Sequence, residues 1–68
     1  MSAVFVLGLE LRHGSSYRLS AVKGGEEIIL RSARFEGLRD GWMVFSGEGN
    51  VEYSFVPSDI KTISCVSW

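Results

Sequence analysis

His13 and Cys65 are the only histidine and the only cysteine of this 68-residue chain. Nucleophilic catalysis needs a base beside the nucleophile, and a metal centre usually draws several His or Cys ligands. A lone His13 in the turn-like run His13-Gly14-Ser15-Ser16 supplies neither. Ser15 and Ser16 read as ordinary turn residues, and Cys65 reads as a small apolar side chain of the last strand rather than a reactive thiol. Carboxylates occur in pairs at Glu26/Glu27 and Glu48/Glu52. Neighbours on a strand point to opposite faces, so Glu26 and Glu27 are badly placed to share a proton. Glu48 and Glu52 flank a glycine turn and are expected in solvent. The glycines match neither phosphate-cradle pattern, Gly-x-x-x-x-Gly-Lys-Ser/Thr or Gly-x-Gly-x-x-Gly. These residues predict no catalytic site, no cofactor and no metal, and the chain is read as a non-enzyme.

Aromatic and basic residues offer the better lead. Tyr17, Trp42, Tyr53 and Trp68, together with Arg31, Arg34 and Arg39, form the candidate binding surface. Exposed aromatics with arginines nearby grip a peptide or stack on bases. The competing reading places Trp42, Phe45 and Phe55 in the core. Net charge is −1, with 7 Lys+Arg against 8 Asp+Glu, which lacks the basic excess usual for nucleic-acid domains. A nucleic-acid partner is therefore possible but not favoured.

The elements that must position these residues are strands. The organising stretch runs from Glu26 to Phe55 and reads as three short strands joined by two turns. Asp40-Gly41 is a strong turn pair. Trp42, Val44 and Phe45 suit a pleated surface, with Trp42 and Val44 on one face and Met43 and Phe45 on the other. Ser46-Gly47-Glu48-Gly49-Asn50 is the next turn. Val51, Tyr53 and Phe55 then alternate with Glu52 and Ser54, and Pro57 ends pairing on its side. The first strand of this meander needs a phase change: Ile28 and Leu30 share one phase, Ala33 and Phe35 the other. A bulge or bend near Arg31-Ser32 reconciles them. A helix over 26–36, capped by Gly37, competes with that strand.

Before the meander, Ser2–Leu11 is the most apolar segment and is expected to form one strand, with Gly8 permitting a bend. Apolar residues in both phases, above all Val4, Phe5, Val6, Leu7 and Leu9, make it the candidate self-association strand. It is too short to span a membrane, and it lacks the charged start and cleavage site of a signal peptide. Tyr17, Leu19 and Ala21 predict a second strand pairing with the first, closed by Gly24-Gly25. Pro57-Ser58-Asp59-Ile60 suits a single 3₁₀ turn, and Ile63 and Cys65, or Thr62 and Val66, mark a last strand.

A chain of this length is expected to fold as one domain, 1–68, and buries only about 60% of its unfolded surface. Its apolar fraction of 46% is generous for that size, and small domains commonly gain burial by oligomerising. With no disulfide possible, a reducing cytoplasm is the expected compartment. The expected fold is all-β: a five- or six-stranded antiparallel barrel or strongly bent sheet whose outline resembles small SH3-like and Sm-like barrels. The expected function is a protein-interaction or structural module, a homo-oligomer with a protein or peptide partner possible and no membrane. The alternative is a nucleic-acid-binding β-barrel using arginines and exposed aromatics.

Overall fold

The computed structural model describes residues 3–67. Strand follows strand in the order β1 (Val4–Val6), β2 (Leu9–Leu11), β3 (Ser16–Lys23), β4 (Glu26–Arg39), β5 (Trp42–Ser46), β6 (Glu52–Phe55) and β7 (Ile60–Ser67). Short 3₁₀ turns at Glu48–Asn50 and Pro57–Asp59 flank β6. The five later strands form one antiparallel sheet, ordered β6-β5-β4-β3-β7, and β1 and β2 form a separate two-stranded sheet. No ladder joins β6 to β7 among the described residues. The helix considered over 26–36 is absent; that stretch lies in β4.

At 14 residues, β4 serves two neighbours. Its first half pairs with β3 and its second half with β5. Tyr17 lies opposite Ala33 and Leu19 opposite Leu30, so Arg31 and Ser32 together face the single residue Arg18. That is the expected bulge, and it turns Leu30, Ala33 and Phe35 all inward. A second register shift between Phe35 and Gly37 absorbs Glu36.

The core is an aromatic cluster centred on Phe45. Its ring centre lies 5.3 Å from that of Phe35, 6.2 Å from Phe55 and 6.4 Å from Tyr17, the last edge to face. Val6, Leu11, Leu19, Ala21, Leu30, Ala33, Met43 and Ile60 complete the buried cluster. The 3₁₀ turn before β7 is held by the Asp59 carboxylate, which accepts from the Val56 N–H at 3.1 Å.

The amino-terminal segment departs from expectation. It is two strands, because Leu7-Gly8 is a two-residue turn that pairs Val6 with Leu9 and Val4 with Leu11. The seven strands exceed the five or six expected for this reason. Consequently β3 does not pair with the first strand; its neighbours are β4 and β7. Leu7 and Gly8 have φ of 51° and 81°, the sign pattern of the hairpin turns that match strand twist. Gly8 takes this backbone freely; the leucine beside it concealed the turn in the sequence.

Tyr17 fastens this hairpin to the sheet. Its ring is fully buried, and its hydroxyl accepts from the Arg12 N–H at 2.8 Å and donates to the Glu10 carbonyl at 3.4 Å. Next along the chain, the Gly14 N–H donates to the Phe35 carbonyl at 2.8 Å, and the Phe35 N–H donates to the Ser15 carbonyl at 2.9 Å. Tyr17→Phe should lower stability by about 1–2 kcal/mol, since it keeps the ring and strands the Arg12 amide. Phe45→Ala should cost about 3–5 kcal/mol. Urea denaturation followed by tryptophan fluorescence measures both.

Candidate binding surfaces

Two faces of the molecule carry the residues that bear on function. The first is the β1–β2 hairpin. Val6 and Leu11 point into the core, and Val4 and Leu9 pack partly against it. Phe5 and Leu7 face outward, 59% and 67% exposed. Of the five residues expected to drive self-association, Val6 is therefore corrected to a core residue, and only Phe5 and Leu7 present their apolar bodies to solvent. Beside the hairpin base lies a groove of about 530 Å³, walled by Ala3, Val4, Leu11, Phe35 and Leu38. Glu10, Arg12 and His13 also line it, so it is apolar with charges of both signs. Leu38 sits opposite buried Met43, yet remains exposed.

The second face is the outer side of β4, β5 and β6. Arg34 stands opposite Ser46, and both converge on Glu36: the Arg34 Nε lies 2.9 Å from its Oε2, and the Ser46 hydroxyl donates to the same oxygen. Arg39 pairs with Glu52 at 3.3 Å, linking β4 to β6 across β5. Val44 faces this side and is buried all the same. As expected, Trp42 shares the Val44 face; it is partly exposed, and the Lys23 ammonium lies 5.1 Å from its ring centre. Lys23 also donates to the Ser54 carbonyl, tying the end of β3 to β6.

The structure thus divides the expected aromatic and arginine surface. Tyr17 is not on a surface at all; its ring is core and its hydroxyl is spent on backbone. Arg34 and Arg39 are committed to carboxylates. Trp68 lies outside the described residues. Only Arg31 and Tyr53 come together, on opposite walls of a groove of about 340 Å³ between β4 and the β5–β6 turn. Phe45 and Phe55 are core, as the competing reading held, and Trp42 is not. Tyr53 keeps the inward phase of Phe55, on whose ring it stacks at 6.3 Å, and it is its position at the margin of the core that also makes it line this groove.

Among the described residues no three of His, Cys, Asp and Glu gather as a metal site. None of the described helical turns is long and apolar enough to cross a membrane. Comparison with protein-family models, with curated proteins and with solved structures found no match.

The Ser46 hydroxyl, and after it Arg34, hold the Glu36 carboxyl below the ordinary glutamate value. A depressed folded value means stabilisation that is full above the unfolded value and lost as pH falls through the folded one. An NMR pH titration should find Glu36 the more acidic in the native protein, and Ser46→Ala should raise its midpoint towards an ordinary glutamate.

Proposed function

We propose that this chain is a self-associating interaction module, and that the contact runs through the β1–β2 hairpin. The observation that carries this reading is Leu7. Three two-residue turns share the same sign of φ at both central positions: Leu7-Gly8, Gly24-Gly25 and Asp40-Gly41. Glycine and aspartate suit the left-handed first position; leucine there costs roughly 1 kcal/mol. Its side chain is also left in water. Within a single copy, the Tyr17 bonds and the burial of Val6 and Leu11 hold the turn in place, but the Leu7 side chain stays in water. A second copy would cover it, and backbone outliers of this kind collect at functional contacts.

The same chain supplies the complement. Leu7 and Phe5 form an apolar knob, and the groove walled by Val4, Leu11, Phe35 and Leu38 accepts one. Glu10 and Arg12, 3.9 Å apart beside it, give each copy one charge of either sign, which a twofold arrangement matches reciprocally. Exchange of knob and groove about a twofold axis closes as a dimer. In this reading the strand order, the sharply bent β4 and the 3₁₀ turn before β7 support the outline of a small SH3-like or Sm-like barrel.

The nucleic-acid reading draws less support. Two of its three arginines are spent in ion pairs, and the groove that holds the third also holds Glu48. Sedimentation equilibrium should find a concentration-dependent dimer for the native chain. Leu7→Asn, which tolerates the turn backbone, should shift it to monomer without loss of thermal stability. A strict monomer at high concentration, or a Leu7→Asn protein that associates as the native chain does, overturns the reading.

A further inference from the structure

We propose that the unpaired edge of β4 receives an extended basic peptide as an added strand. β5 meets β4 only from Arg34 to Arg39, whereas β3 pairs with it from Glu26 to Arg34. Residues 26–33 therefore have a strand on one side and none on the other among the described residues. A strand edge of that length presents backbone donors and acceptors that a further chain satisfies.

The edge does not open onto a flat surface. The groove of about 340 Å³ runs beside it, with Leu30, Arg31 and Ser32 on the near wall and Gly47, Glu48 and Tyr53 on the far wall. Gly47 keeps that wall back: a Cβ there would lie 3.2 Å from the Tyr53 ring and 3.9 Å from Leu30. The strand alternation sets Glu26, Ile28 and Leu30 on one face and Glu27, Ile29 and Arg31 on the other. On the outer face an added strand aligned with the edge meets Glu27 and then exposed Ile29, while on the inner face Ile28 and Leu30 pack towards the core beyond Glu26.

Charge selects the occupant. Among the described residues Glu26, Glu27 and Glu48 are exposed and form no ion pair, and Arg31 is the only cation lining the groove. Of the neighbouring cations, Lys23 is occupied by the Ser54 carbonyl and Trp42 and Arg34 by Glu36, while Arg18 faces the bulge from β3, on the paired side of the strand. An excess of carboxylate beside open backbone suits Lys- or Arg-bearing peptide and opposes a phosphate backbone. This site is separate from the hairpin, and the proposal does not rest on self-association.

The probe is an acetylated, amidated heptapeptide, Lys-Lys-Val-Thr-Val-Lys-Lys, titrated into the ¹⁵N-labelled Leu7→Asn chain at low salt. Amide shifts should concentrate at residues 28–32 and at Gly47, Glu48 and Tyr53. Affinity should fall about tenfold in Glu26→Gln/Glu27→Gln, whose spectrum should otherwise stay native. The same peptide N-methylated at both valines and at the threonine keeps its charge but loses its central donors on both strand edges, and should bind at least ~tenfold more weakly. Equal binding of the N-methylated peptide, equal binding of a version with Glu for every Lys, or shifts confined to other residues would each overturn the proposal. Shifts at this edge produced by protein concentration alone would assign it to a second copy, and tighter binding of an oligothymidylate would assign it to nucleic acid; either result also overturns it.

Discussion

A strand as long as β4 cannot keep a regular side-chain period and still bury both its halves behind a curved sheet. The extra residue at Arg31-Ser32 resolves that conflict. It reverses the phase once, so that Leu30 before the bulge and Ala33 and Phe35 after it all face the core. Because the strand turns there, one half keeps company with β3 and the other with β5, and the ring of Phe45 on β5 meets those of Tyr17 on β3, Phe35 on β4 and Phe55 on β6. The same turn leaves one edge of the first half without a partner and opens the groove beside it. Stability and exposed edge have a single origin.

The hairpin is held by a different device. Three-residue strands are too short to persist alone. Val6 and Leu11 bury against the core, and the Tyr17 hydroxyl satisfies the backbone at Arg12 and Glu10. This anchoring from beneath lets the outer face and tip carry Phe5 and Leu7, side chains that a free hairpin would not display without loss. The fold thereby separates a buried anchoring face from an apolar display face within eight residues of chain.

Charge is distributed to the same effect. On the outer face of β4, Arg34 and Arg39 are neutralised by Glu36 and Glu52, and the Arg39 pair lies across the strand that carries buried, outward-facing Val44. Exposed pairs of this kind contribute little to stability. Their consequence is electrostatic: the outer side of β4, β5 and β6 carries paired charge, while carboxylates at Glu26, Glu27 and Glu48 have no ion pair among the described residues around the open edge.

Much of this architecture was legible from local pattern. Alternation of Tyr17, Leu19 and Ala21, the turn pairs Gly24-Gly25 and Asp40-Gly41, the phase conflict within β4 and the proline before the 3₁₀ turn each depend on residues close in the chain. Their period and backbone preference follow from side-chain geometry alone, so the sequence by itself determined a β-rich chain with a bend at Arg31-Ser32. Three-dimensional packing decided the rest. A leucine at the hairpin turn contradicts local preference, and only anchoring by Tyr17 from across the core makes that turn persist. Whether an aromatic is buried, half-buried or exposed depended on strands far apart in sequence: Tyr17 lies beneath the hairpin, Tyr53 at a groove, Trp42 under Lys23. Pairings between distant residues likewise settled which arginines were spent and which strand edge stayed open, because a one-dimensional pattern records the face of a side chain but not what the fold brings against it.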